Sequence, residues 1–207
     1  MRKYKKYFIA IITEKFPGHS NEIISRVDAH YKFISVDTSF AASSGNPIDK
    51  RLDFCAYFLA LIKTLDERGE CFETIREICL EIVTEYVKPK NQFQHFLKKL
   101  PARLVNTWLA TFLLREFDKR VSKNSNPDGF IANIITDKQE TLGFGYGIDI
   151  LECGICKLFK KHHYQKYAAI LCEVDALISD LAGLKLVRNG TIATGASKCD
   201  FRWTRKD

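Results

Sequence analysis

A thiol and a carboxylate are spaced for joint chemistry in the segment Cys172-Glu-Val-Asp175. On a helix, residues three positions apart share one face, with their Cβ atoms about 5–6 Å apart. Ile170, Leu171 and Val174 are apolar, so this face would be partly removed from water. Cys172 and Asp175 then suit a nucleophile and a base, or two metal ligands. The alternative is a buried structural thiol beside a capping aspartate.

A second polar cluster is Cys199-Asp200-Phe201-Arg202. If it forms a strand, Cys199 and Phe201 face one side and Asp200 and Arg202 face the other. Asp200 and Arg202 would then pair with each other at the surface. If their side instead lines a cleft, the planar guanidinium of Arg202 is suited to bind a carboxylate of a ligand.

Cys153-x-x-Cys156 follows a predicted strand and opens a predicted helix. The positive end of that helix would lower the pKa of one thiol, which predicts a reactive thiolate. Together with Cys172 and Cys199 the pair suggests a four-thiolate site, but the spacings fit no standard zinc ribbon. We therefore predict no metal and no other cofactor.

Taken in order along residues 152–203, these motifs resemble the L-2-amino-thiazoline-4-carboxylic acid hydrolase family. The resemblance rests on Cys153, on Cys172-x-x-Asp175, on Arg188 leading to Thr191, and on Gly195-x-x-x-Cys199-Asp200-Phe201-Arg202. One departure is Asn189-Gly190, where the family pattern leads more directly from Arg188 into a Thr-rich strand.

The resemblance implies a hydrolase that opens a cyclic isothiourea, a small C–N/C–S ring substrate, to a carbamoyl-cysteine. It implies that Asp175 is a base or the partner of the amidinium group, and that Cys172 or Cys199 is the nucleophile. Arg202, with Arg188, would hold the substrate carboxylate, and Asp200 would lie beside them at the substrate.

Other interpretations of these residues remain open. The same cleft would suit a non-catalytic, sensor-like domain that binds a small molecule without turnover. The thiolates would alternatively hold a structural metal, or serve only as packing residues with the function elsewhere, for example in the small polar residues of the loop 38–47.

The elements that must position these residues fall into two halves of one predicted domain, 1–207. Residues 1–121 show apolar residues at helical spacing and predict a helical lobe. A turn-rich segment, 122–129, then opens a β-rich lobe, 122–207, that carries the motifs. Its predicted strands are 130–136, 144–151, 184–193 and 199–203, with helices at 154–162 and 165–178. The fold class is therefore α+β: an N-terminal helical segment packed on a small antiparallel sheet with two further helices.

Composition narrows the class of partner. The net charge of +7 comes without a nucleic-acid-binding motif, so we expect a solvated basic surface and no nucleic acid partner. Uninterrupted apolar runs long enough to span a membrane are missing from the sequence, and seven irregularly spaced cysteines do not form a disulfide framework. We expect a cytoplasmic protein whose partner is a small-molecule substrate, with a homo-oligomer as an open alternative. Cys55, Cys71 and Cys79 are predicted to be buried thiols.

Overall fold

The computed structural model describes residues 3–94, 96, 99, 107–123, 126–143 and 146–206. The N-terminal part is helical, as predicted. Its helices are α1 (Lys5–Lys15), α2 (Ser20–Ile34), α3 (Leu52–Glu67), α4 (Phe72–Val87) and α5 (Trp108–Lys123). Two short 3-10 helices, Ser39–Ala42 and Asp49–Arg51, connect α2 to α3.

Helix α3 is the centre of the helical part. Apolar residues occur around its whole circumference, which is typical of a helix covered on every side. Ala56, Phe58, Leu59, Leu61 and Ile62 are all fully buried. This helix packs against α2 and α4, so it provides a fixed base for the β-rich part.

The β-rich part contains a four-stranded sheet and two helices. Its strands are β1 (Ile131–Ile135), β2 (Gly147–Glu152), β3 (Leu184–Val187) and β4 (Cys199–Arg205). They lie in the order β1-β2-β4-β3, and every neighbouring pair is antiparallel. Helix α6 (Gly154–Lys161) follows β2, and α7 (Ala168–Leu181) leads to β3. The predicted α+β class is confirmed.

The predicted strand 184–193 is too long. β3 ends at Val187, and Ile192–Thr194 form a 3-10 turn instead. The carboxylate of Asp200 accepts hydrogen bonds from the backbone N–H groups of Asn189 and Gly190, which turns the chain away from the sheet. Gly195 then adopts a left-handed φ of 94°, which ends the turn.

Helix α5 also departs from its prediction. Of the apolar side chains expected to pack from it, Val121 is buried, whereas Trp108, Phe112 and Leu113 are exposed. The predicted start of this helix, at 101–105, and the first residues of the predicted strand 144–151 lie outside the described residues.

One buried cluster draws residues from both halves of the chain. It joins Phe58 of α3 and Ile82 of α4 to Phe159 of α6 and Leu171 of α7. A second cluster places Leu52, at the start of α3, against the sheet. Helices α6 and α7 are therefore held between the helical base and the strands, and α7 faces β4.

Cys55 and Cys79 are buried, as predicted, but Cys71 is exposed. The prediction for Cys71 was wrong because this residue precedes the first turn of α4 and does not lie on its apolar face. Among the described helices, none has both the length and the apolar character needed to cross a membrane.

Candidate functional site

Two adjoining cavities lie between the sheet, α7 and the 3-10 helix before α3. The larger has a volume of about 370 Å³ and the smaller about 60 Å³. Residues common to both linings are Ile48, Arg51, Ile150, Asp175 and Phe201. We call the larger one the aromatic chamber, because Phe117, Tyr146, Phe201 and Trp203 line it, and the smaller one the thiol cavity.

The thiol cavity brings together the cysteines that the sequence singled out. Cys153, at the end of β2, and Cys156, on α6, line it with Cys172 and Cys199. Asp175 lines the same cavity from the next turn of α7. The three residues predicted to be catalytic, Cys172, Asp175 and Cys199, therefore lie around one space.

Asp175 lies between two guanidinium groups. Arg188 Nη1 is 3.5 Å from Asp175 Oδ2, and Arg51 Nη1 is 3.7 Å from Asp175 Oδ1. Both distances exceed those of a close charge-assisted hydrogen bond, so neither cation fully satisfies the carboxylate. Burial raises the pKa of Asp175, and this effect outweighs the opposite influence of Arg51 and Arg188. The carboxyl group is thus suited to accept and return a proton.

Arg188 is held in place by three contacts. Its Nη2 donates a hydrogen bond of 3.2 Å to the carbonyl oxygen of Cys172, and its guanidinium lies 5.1 Å from the centre of the Phe201 ring. The third contact is the ion pair with Asp175. Its Nη1 atom is buried and makes that ion pair, without a closer hydrogen-bond acceptor among the described residues.

Burial favours the protonated thiol at Cys172 and Cys199. Burial, followed by the charge of Asp175, raises the pKa of Cys172 to about 12. Burial also raises the pKa of Cys199, although the backbone N–H of Ile192 donates to its sulfur at 3.2 Å and acts in the opposite direction. Preformed thiolates are therefore disfavoured at both positions.

The reactive thiolate was predicted for Cys153 or Cys156 at the start of α6, and at Cys153 the structure disfavours it. A hydrogen bond with Cys156, together with burial, raises the pKa of Cys153. Backbone N–H groups at the helix start lower it by less. The hydrogen bond with Cys156 and burial together explain the difference from an exposed thiol at a helix N-terminus.

Asp200 and Arg202 lie on the other face of the sheet, away from both cavities. Asp200 accepts hydrogen bonds from the Asn189–Gly190 turn, including one of 2.7 Å from the Asn189 side chain. Arg202 Nη1 donates to Asp149 at 2.8 Å, and Lys198 Nζ lies 2.6 Å from the same carboxylate. Asp200 and Arg202 do not pair with each other, and neither of them lies beside Asp175.

That outer cluster is a satisfied ion-pair network. Burial alone would raise the pKa of Asp149, but the hydrogen bonds from Lys198 and Arg202 hold it below its ordinary value. Arg202 also donates to the carbonyl oxygen of Glu140, which ties the β1–β2 connection to β4. The network positions strands, and of the two predicted arginines Arg188 is the one that contacts Asp175.

Sequence reasoning missed Arg51 and the aromatic walls of the chamber. Arg51 lies far from Asp175 along the chain, and nothing in its local sequence distinguishes it from other surface arginines. Its side chain is 67% exposed, so it stands at the mouth of the site. Alternation along β4 does predict that Phe201 and Trp203 share a face with Cys199.

Within the described ranges, the histidine, cysteine and acidic side chains form no group of three or more placed to hold a metal ion. The thiols of the cavity and Asp175 line a shared space without converging on a single point. The arrangement can instead bind an organic ligand between the Asp175 carboxylate, the Arg51 guanidinium and apolar walls.

Comparison with known proteins identifies the class of this chain. A family model described as L-2-amino-thiazoline-4-carboxylic acid hydrolase matches residues 51–203. This match covers most of the 207 residues, so the chain belongs to that family. Comparison with curated proteins and with solved structures found no match. The matched segment begins at Arg51 and includes the residues named above that line the thiol cavity from α6, α7 and β4.

Proposed function

We propose that this protein is a hydrolase that opens a small cyclic substrate at a C–N or C–S bond, with Asp175 as its base. Family membership supports the reaction class. The observation that carries the proposal is the position of Asp175, a carboxylate of raised pKa at the junction of two cavities, beside thiols and two cations. Such a combination of perturbed acid, nucleophile candidates and anion partners is typical of an active site.

The substrate that the family name describes matches these groups. 2-Amino-thiazoline-4-carboxylate carries a carboxylate and an amidine-like carbon between ring sulfur and ring nitrogen. Arg51, which lines both cavities, is the cation for the carboxylate, and Asp175 accepts a hydrogen bond from the amidine N–H. The proposal gives Arg51 the role that the sequence assigned to Arg202, and Arg188 positions Asp175.

The nucleophile is Cys172, Cys199 or a water molecule. With the pKa of Cys172 near 12, only about one thiol in 10⁵ is ionised at neutral pH, so attack requires a base. Asp175 takes the proton while the nucleophile bonds to the ring carbon between sulfur and nitrogen. The ring C–S or C–N bond then breaks, and Asp175 returns the proton to the leaving atom. Where the nucleophile is a cysteine, water then adds to the enzyme-bound carbon, the bond between that carbon and the cysteine sulfur breaks, and the thiol recovers its proton. Either way, one water is consumed overall.

A second candidate is a non-catalytic domain that binds such a ligand without opening it. The observation that favours it is the protonated state of Cys172 and Cys199 in this structure. The hydrolase and the non-catalytic binding domain would use the same cavities. Formation of product distinguishes them.

Incubation of the purified protein with L-2-amino-thiazoline-4-carboxylate tests the proposal, with calorimetry for binding and mass spectrometry for the carbamoyl product. If the protein is a hydrolase, it forms product. If Cys172 or Cys199 is the nucleophile, its replacement by alanine lowers the rate at least about 100-fold. Cys71→Ala is the control because Cys71 is exposed and far from the site. Full activity in both variants assigns water as the nucleophile. Binding without product supports the non-catalytic candidate, and absence of both rejects the proposal for this substrate.

A further inference from the structure

The aromatic chamber is larger than one reacting ring requires. An apolar cavity of about 150 Å³ accommodates a benzene molecule. The chamber, at about 370 Å³, is more than twice that volume. A five-membered thiazoline ring with its carboxylate would fill the end beside Asp175 and leave space for a second group of ring size.

The charges of the chamber are concentrated at that one end. Among the described residues that line it, Arg51 and Asp175 are the charged ones, and they lie within 3.7 Å of each other. Phe117, Tyr146 and Trp203 form aromatic walls of the same chamber, and Tyr146 also lies within electrostatic reach of Arg51. Tyr146 and Trp203 contact each other with ring centres 5.0 Å apart, so together they form a broad apolar surface.

The polar atoms on this wall are already engaged. Trp203 Nε1 donates to Ser179 Oγ at 3.0 Å, and the same hydroxyl donates to the carbonyl oxygen of Asp175 at 2.7 Å. A polar substituent on a ligand would therefore find few hydrogen-bond partners at Ser179 and Trp203. Its desolvation against the ring faces would cost free energy. An apolar or aromatic substituent gains from the same surface.

We infer that the natural substrate of this site carries an apolar, ring-sized substituent, which lies against Tyr146 and Trp203 while the reacting ring lies beside Asp175. This inference rests on the proposed function for the position of the reacting ring. It assigns the aromatic chamber a role in substrate selection that the thiazoline ring alone does not require.

Calorimetry with three probes tests the inference by affinity alone. The probes are 2-amino-thiazoline-4-carboxylate and two derivatives with one phenyl group, on ring carbon 5 or on the exocyclic nitrogen. Burial of a phenyl group predicts that at least one derivative binds about 10- to 100-fold more tightly than the parent compound. If neither derivative binds more tightly than the parent, the inference is overturned.

Filling the chamber provides the matched variant. Ala182, after the last turn of α7, lines the chamber, and Ala182→Phe would occupy the space assigned to the substituent. Ala176→Phe is its control, since Ala176 is exposed on the same helix and does not line the chamber. We expect Ala182→Phe to remove the phenyl advantage and Ala176→Phe to retain it. Should Ala182→Phe fail to fold, Ile178→Glu, at an exposed wall position, replaces it with the same expectation.

The outcomes separate this inference from the proposed function. Tighter binding of a phenyl derivative without any product supports the chamber assignment and rejects catalysis. Turnover of the parent compound with no phenyl advantage supports catalysis and rejects the chamber assignment. If Ala182→Phe and Ala176→Phe both lose the tighter binding of the phenyl derivatives, the phenyl group does not lie in the chamber.

Discussion

Burial of Asp175 lowers folding stability at neutral pH. Burial raises its pKa above the ordinary value of 3.8, so the folded state binds the proton more tightly than the unfolded state does. The stability that the protonated group contributes is present below that ordinary value and is lost as pH rises through the raised pKa. At neutral pH the burial of this ionisable group therefore destabilises the fold, as expected for a group retained for function.

Asp175→Asn should consequently be more stable than the wild type at neutral pH. The gain should shrink as pH is lowered and vanish below the ordinary pKa, where both side chains are neutral. Melting temperatures across this pH range provide the measurement. A loss of stability at neutral pH would show that the ion pairs with Arg51 and Arg188 outweigh the cost of burial.

Two free cysteines should differ sharply in reactivity. A hydrogen bond with Thr74 lowers the pKa of the exposed Cys71, whereas burial raises that of Cys172 to about 12. Because the thiolate is the reactive form, iodoacetamide at neutral pH should label Cys71 at least about tenfold faster than Cys172. Peptide mapping by mass spectrometry follows both rates, and equal rates would contradict the protonated state assigned to Cys172.

At the level of elements, β4 defines the site because its two faces have different roles. The alternation of Cys199-Asp200-Phe201-Arg202 was predictable, and Cys199 and Phe201 do share the inner face. Which face meets the cavity was not predictable, since that depends on α7 packing across the sheet. Asp200 and Arg202 have side chains suited to a ligand, but on the outer face they hold a turn and an ion-pair network.

The same reasoning explains the other differences at this scale. Periodicity predicted helices α3, α4, α6 and α7, because each buries an apolar face along its own length. The Asn189–Gly190 turn that ends β3 depends on Asp200 of the next strand, so local pattern extended the strand wrongly. Arg51 reaches Asp175 through tertiary packing alone, which a local pattern does not encode.

The hydrogen bond between Trp203 Nε1 and Ser179 Oγ fixes β4 on α7. Both residues are buried, so Ser179→Ala would leave the indole N–H without this acceptor. We expect Ser179→Ala to lower the free energy of unfolding by about 1–3 kcal/mol in urea titrations. Ser43→Ala removes an exposed hydroxyl that bonds to a backbone carbonyl and should change stability far less. Equal effects of Ser179→Ala and Ser43→Ala would argue that the hydrogen bond between Trp203 and Ser179 does not stabilise the fold.

At the scale of the molecule, the helical and β-rich parts share one buried cluster. Phe58 and Ile82 contact the same core as Phe159 and Leu171. Separating the two parts would expose all of these side chains to water, at a cost of about 1.5–3 kcal/mol for each one. The two parts are therefore expected to unfold together.

A single unfolding transition is the corresponding prediction. Trp108→Phe removes one of the two tryptophans at a position that is 81% exposed, and leaves Trp203 to report on β4. Fluorescence of Trp203 and far-ultraviolet circular dichroism of the helices should then give the same midpoint in urea. Two separated midpoints would show that the β-rich part unfolds by itself.

The rate of ring opening by the Asp175→Asn variant tests the central claim most directly. This substitution removes the proposed base and keeps the shape of the side chain. The matched control is Asp180→Asn, which changes an exposed carboxylate of the same helix α7. With L-2-amino-thiazoline-4-carboxylate as substrate, we predict that Asp175→Asn lowers kcat/KM by about 10²- to 10⁴-fold and that Asp180→Asn leaves it unchanged. Wild-type kcat/KM in folded Asp175→Asn would contradict the account.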